Sequence, residues 1–117
     1  MKKFLVLYMA PKNVVDDWKK TDPEVRKAGE KKMQADWQKW MGEHSEMFRE
    51  TAAAYKTKRV SAEGVSDFRN DTMLYSFIEA ESHEAAAKTF ENHPHFGIPK
   101  ASIEIIETMP MNNSRPQ

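Results

Sequence analysis

Lys3-Phe4-Leu5-Val6-Leu7-Tyr8-Met9 decides the fold. It is rich in β-formers and carries apolar side chains at both parities, Phe4, Val6 and Tyr8 on one and Leu5, Leu7 and Met9 on the other. A strand of this kind is covered on both faces. Pro11 stops it, since proline cannot donate to a ladder. Thr72-Met-Leu-Tyr-Ser-Phe-Ile-Glu-Ala80 repeats the pattern, and a third such strand runs from Ser102 through Ile103, Ile105 and Ile106 to Met109. Three two-faced strands need cover from helices on one side and from something else on the other.

The segments between them supply the helices. Asn13 is a candidate cap for a short helix through Trp18. Asp22-Pro23-Glu24 is a stronger start, with a capping carboxylate, a proline at the first helical position and negative charge at the positive end of the helix dipole. From there Val25, Met33, Trp37, Trp40, Met41 and His44 recur at spacings of three, four, seven and eight, an apolar stripe on a helix of about five turns. Ser82 and Glu84 open another helix with Ala86, Ala87 and Phe90 on its inner face, closed by Pro94. The stretch from Glu43 to Asp71 is read as irregular through Thr51-Ala-Ala-Ala. A hairpin follows, from Thr57 to Ala62, turned at Glu63-Gly64 and returning over Val65 to Phe68.

The order is strand, helix, strand, then strand, helix, strand. It predicts an α+β, ferredoxin-like split βαβ fold with an antiparallel sheet and both helices on one face. The opposite face would leave more apolar area in water than single domains tolerate. It therefore predicts a homodimer whose sheets pack face to face and nearly close into a dimeric α/β barrel. Residues 1–111 form the single domain, and 112–117 read as a flexible C-terminal tail.

Composition narrows the function. The 117 residues hold 18 Lys plus Arg and 18 Asp plus Glu, a formal net charge of zero, so no nucleic-acid partner held by counterion release is expected. Cysteine is absent, which excludes disulfides, thiolate nucleophiles and thiolate-bound metals. The longest apolar run, Phe4 to Ala10, is far shorter than the roughly 20 residues of a bilayer span, so a cytoplasmic protein with no membrane partner is expected. No Gly-rich phosphate loop, nucleophile elbow or His-Glu-x-x-His occurs, which leaves nucleotide hydrolysis, α/β-hydrolase chemistry and zincin proteolysis unsupported.

Six residues stand out as site candidates. His93 and His95, in His-Pro-His, are the catalytic candidates, because imidazoles titrate near neutral pH and can move protons. In an extended segment they would point the same way and could share a metal, but no third ligand is evident and no metal or cofactor is assigned. The plainer reading has His93 on the last carbonyls of its helix and Pro94 as a stop signal. Trp37 and Trp40, one turn apart, are candidates to wall an apolar cleft, although such residues are ordinary core on many helices. Tyr8 and Tyr75 would orient a ligand if they face the helices and anchor an interface if they face the other sheet.

The ordered pieces Phe4-Leu-Val-Leu-Tyr-Met-Ala-Pro, Trp37-Gln-Lys-Trp-Met, Lys56-Thr-Lys-Arg-Val-Ser-Ala-Glu-Gly-Val-Ser-Asp, Tyr75-Ser-Phe-Ile-Glu-Ala-Glu-Ser, Asn92-His-Pro-His-Phe and Ala101-Ser-Ile-Glu-Ile resemble the YCII-related family of dimeric α/β-barrel proteins, from Lys3 to Met111. The resemblance implies a ferredoxin-like dimer with a cleft between helix and sheet, but no settled activity. Some relatives pair a His on the first helix with an Asp just before a proline after the second. This chain has no His before His44 on the long helix and has His93 before Pro94. The expectation is a protein that binds a small molecule in an apolar helix–sheet cleft, with cofactor-free isomerase- or lyase-like proton transfer as its chemistry. The alternative is a non-catalytic dimeric structural or interaction module.

Overall fold

A computed structural model describes residues 1–111; the expected tail, 112–117, lies outside the described residues. The elements run β1 (Lys2–Met9), α1 (Lys12–Lys19), α2 (Pro23–Glu43), β2 (Phe48–Ala53), β3 (Thr57–Ser61), β4 (Gly64–Phe68), β5 (Thr72–Ala80), α3 (His83–Thr89) and β6 (Ser102–Glu107). Four strands form one antiparallel sheet in the order β2-β5-β1-β6, while β3 and β4 form a separate two-stranded sheet. Setting the hairpin aside, the strand-helix-strand units β1-α2-β2 and β5-α3-β6 give the ferredoxin-like arrangement.

The two-faced pattern of β1 resolves by parity. Phe4, Val6 and Tyr8 are fully buried against the helices, whereas Leu5, Leu7 and Met9 are half-buried on the opposite face. Ile78, Ala80, Ala86, Phe90 and Trp40 complete the buried core, with Trp37, Met41, Leu74, Ile103 and Ile105 packed around it. The far face carries Leu5 opposite both Phe77 and Ile106, and Leu7 opposite Tyr75. No described residue covers that face, and the molecule is only 19 Å thick along its shortest axis.

The helix signals act as their chemistry predicts. The Asp22 carboxylate accepts from the Val25 N–H, and the Ser82 hydroxyl accepts from the Ala85 N–H. Met33, Trp37, Trp40 and Met41 form the buried or half-buried stripe of α2, continued by the half-buried His44 just past its end, but Val25 is exposed. The first turn of α2 therefore lies beyond the core. The short helix α1 starts at Lys12 after Pro11 and has no side-chain cap, so Asn13 is its second residue and not its cap. It is tied down instead by a two-pronged pair from Arg69 to Asp16, at 2.8 and 3.1 Å, and by Trp18, whose indole N–H donates to Glu30. Trp18 also explains Gly29: a β-carbon there would stand 2.8 Å from the indole, so glycine lets α1 lie close against α2.

One expectation is corrected. The second strand of the split βαβ is β2, inside the stretch read as irregular, and the hairpin stands outside the main sheet. An edge strand that is mostly exposed, such as Phe48-Arg-Glu-Thr-Ala-Ala, needs no apolar alternation and so shows none. At the hairpin turn Gly64 takes φ +119°, a conformation that side-chain-bearing residues rarely adopt.

Candidate functional site

After α3 the chain turns at Asn92, whose φ of +63° lies in the left-handed region that asparagine tolerates better than most residues. The turn carries His93 and His95 under α2, where they are 2% and 1% exposed. The segment is not extended. His93 caps a short 3₁₀ turn, Pro94–Gly97, and its Nδ1 accepts from the His95 backbone N–H at 2.9 Å. The His93 side chain thus binds the start of the next turn, while its backbone N–H donates to the Phe90 carbonyl at the end of its own helix at 3.2 Å; the extended geometry in which the two imidazoles could share a metal is absent. Among the described residues no group of three His, Asp or Glu could hold a metal ion.

These bonds fix the tautomers. A neutral His93 that accepts at Nδ1 carries its proton on Nε2. His95 lies 2.9 Å through Nε2 from the Met9 carbonyl, which can only accept, so His95 also carries its proton on Nε2 and leaves Nδ1 as an acceptor. Met9 sits where the β1–β5 register slips by one residue, a local irregularity of the kind often found beside functional sites.

Around His93 the rings close in. Trp40 lies 4.3 Å away at 63°, Trp37 4.5 Å away at 80°, Tyr8 at 5.6 Å, and Phe90 stacks at 5.7 Å. Four of the sequence candidates, His93, Trp37, Trp40 and Tyr8, therefore meet in one cluster, with His95 5.8 Å from the Tyr8 ring. His93 Nε2 has no hydrogen-bond partner among the described residues, although it is buried. An unsatisfied buried donor costs about 1–3 kcal/mol.

Electrostatics keep the cluster uncharged. Burial pulls the His93 imidazole down to about 4, and the neighbouring His95 and His44 push the same way. Burial also lowers His95, against the Met9 carbonyl that favours its charged form. Burial pushes the Tyr8 phenol up to about 12, partly offset by its bond to Ser76. At neutral pH the cluster presents neutral donors and acceptors, suited to polarising an oxygen rather than holding an ion.

Tyr8 is anchored by a chain of hydroxyls that sequence reasoning missed. Its phenol lies 2.8 Å from Ser76 Oγ, which lies 2.7 Å from Thr51 Oγ1. The signal was present, because Ser76 interrupts the otherwise apolar run Leu74-Tyr-Ser-Phe-Ile. The Ser76→Ala variant is expected to lose about 1–3 kcal/mol, because the buried phenol loses its partner. The double variant with Tyr8→Phe should recover part of that loss. Urea denaturation of the four proteins in this cycle checks both statements.

Tyr75 does not join the cluster. It faces away from the helices, with its ring 5.9 Å from Phe77 and its hydroxyl donating to Glu50 at 2.9 Å. That position does not suit the ligand-orienting role, which needs a tyrosine facing the helices. The expected cleft is filled by the rings themselves. Two open depressions lie elsewhere: one of about 500 Å³ is lined by Pro11, Lys12, Asn13, Asp16, Arg69 and Asp71, and one of about 340 Å³ runs along Gly42–Met47.

No protein-family model matches the chain, and no curated protein does either. Among solved structures the chain is similar to 5-chloro-2-hydroxyhydroquinone dehydrochlorinase (TftG) from Burkholderia phenoliruptrix AC1100, determined in complex with 2,5-dihydroxybenzoquinone. The TM-score is 0.52, the identity 12%, and the match covers 98% of each chain. At that identity the likeness establishes the fold, and it agrees with the ferredoxin-like topology read from the strand order. No helix among the described residues is long and apolar enough to cross a membrane.

Proposed function

We propose that this protein binds a small planar organic molecule bearing acceptor oxygens in the space between α2 and the sheet, with His93 as the hydrogen-bond donor. The observation that carries the reading is the His93 Nε2–H, buried among four aromatic rings without an acceptor. A carbonyl or phenol oxygen would supply that acceptor, and the Trp37, Trp40 and Tyr8 faces suit a flat, conjugated ring. The half-exposed Trp37 is the side chain whose rotation would admit it. A neutral imidazole that donates to a carbonyl makes adjacent protons more acidic, and His95 Nδ1 is the acceptor able to take one. Such chemistry is cofactor-free and isomerase- or lyase-like. That the dehydrochlorinase was solved with a dihydroxybenzoquinone supports the reading, since that ligand is a flat ring with oxygens at its rim.

The unit we propose is a homodimer joined through the open sheet face, where Leu5, Leu7, Phe77 and Ile106 would otherwise face water. The YCII-like resemblance of the sequence points the same way.

The filled cleft favours a second reading, in which the cluster is core and the protein is a non-catalytic dimeric module. Titration of hydroxylated quinones and phenols, followed by tryptophan fluorescence and NMR, separates the two. Saturable binding is expected, weakened about tenfold or more by His93→Phe, roughly the loss of one hydrogen bond of about 1.4 kcal/mol or more. A panel that gives no saturable change with the native protein leaves the second reading.

A further inference from the structure

The β3–β4 hairpin is built like an interface and pairs with nothing in its own chain. Its strands pair only with each other. Val60 and Val65 face one another across the ladder at 76% and 70% exposure, Tyr55 at its root is 85% exposed, and Phe68 is 42% exposed. A lone two-stranded hairpin is marginal in water, and three or more strands or a packed face are needed to hold one. Three of the arm's charged side chains already have partners. Lys58 pairs with Asp67 beside the valines, and the Arg59 guanidinium lies 4.9 Å over the Phe68 ring on the other face. What remains for a partner on the valine side is apolar and electrically neutral.

The surface of the whole chain indicates how much cover is needed. It exposes 8496 Å², whereas a monomer of 13.6 kDa would expose roughly 6,600 Å². Subtracting roughly 1,000 Å², the most that the six residues outside the described range can contribute, still leaves an excess on the order of 1,000 Å². A standard protein interface buries about 800 Å² per partner. The excess is therefore one interface in size. A chain of zero net charge does not repel its own copies, and it carries a matching neutral apolar surface in Leu5, Leu7, Phe77 and Ile106.

We infer that the hairpin is an arm that packs its Val60–Val65 face onto a second copy of this chain and so forms part of the homodimer interface. The inference rests on the dimer proposed above, which it extends from the sheet face to the arm. It needs no conformational change, only a partner that covers side chains already presented.

The test uses the full chain at micromolar concentration with two variants, sedimentation to read assembly and hydrogen exchange to read the arm. Val60→Lys with Val65→Glu removes the apolar pair while placing opposite charges across the ladder, so the hairpin itself stays formed. Phe77→Asp tests the sheet face separately. The native protein is expected to be a dimer with protected arm amides, and the arm variant to dissociate about tenfold or more readily, which at about 1.4 kcal/mol is one small apolar contact. Arm amides exchanging freely in a native dimer that the arm variant leaves intact would overturn the arm and keep the sheet-face dimer. Dissociation by the arm variant with Phe77→Asp still dimeric would keep the arm and overturn the sheet face. A native monomer would overturn both, whereas arm protection supplied only by some other protein would overturn the arm alone.

Discussion

Trp40→Ala is expected to destabilise the protein by about 3–5 kcal/mol, the range for removing a buried aromatic side chain from a core that cannot close over the gap. Trp40 is only 8% exposed and packs against four rings: it stacks on His44 at 4.1 Å, meets His93 edge-on at 4.3 Å, and lies 5.1 Å from Phe90 and 5.6 Å from Phe48. Its loss would unseat α2 from both the 3₁₀ turn and the first residue of β2. Small domains are stable by only about 5–15 kcal/mol, so the fall in melting temperature should exceed about 10 °C. Trp37→Ala, at a half-exposed position one turn earlier, should cost less than half as much. Calorimetry of the pair checks the claim, and similar melting temperatures for the two variants would mean that Trp40 does not hold the helix to the sheet.

The second large effect is on acid stability. The His93 imidazole is held near 4 in the folded state, below the unfolded value of 6.5. Between these two values the unfolded chain binds a proton that the native chain refuses, so stability falls as pH is lowered through that window and is complete above about 6.5. A shift of this size corresponds to roughly 3 kcal/mol from this one group, and His95, lowered in the same direction, adds to it. His93→Asn isolates the contribution, because the amide oxygen can still accept from the His95 N–H while carrying no titratable proton. In urea denaturation at a series of pH values, this variant should lose distinctly less stability than the native protein between pH 6.5 and 4. Parallel curves would show that acid sensitivity resides elsewhere.

Much of this fold could be read before any coordinates. The apolar runs of Phe4–Met9 and of Leu74–Ile78 mark the central strands of the sheet, and Asp22-Pro23 and Ser82 announce their helices through backbone donors that must be capped. Phe48–Ala53 was not legible because an exposed edge strand has no inner face to impress on its sequence. The ring cluster was legible only as separate parts. Spacing put Trp37 and Trp40 on one stripe, but their meeting with His93 depends on Asn92 turning the chain, a backbone event written in one residue. Ser76 and Thr51 were missed because a hydroxyl chain links positions 25 apart on strands whose register the sequence does not state.

The sheet order has a consequence for how the chain reaches this state. β1 lies between β5 and β6, so the centre of the sheet joins the two ends of the domain, and Lys2 meets Glu107 across 105 positions. Such pairing costs loop entropy before it returns any contact, which slows folding relative to a domain built from local contacts. During synthesis the apolar β1 would wait without its β6 neighbour until almost the whole domain has been made. That interval, rather than the finished structure, is when the chain is most exposed to aggregation.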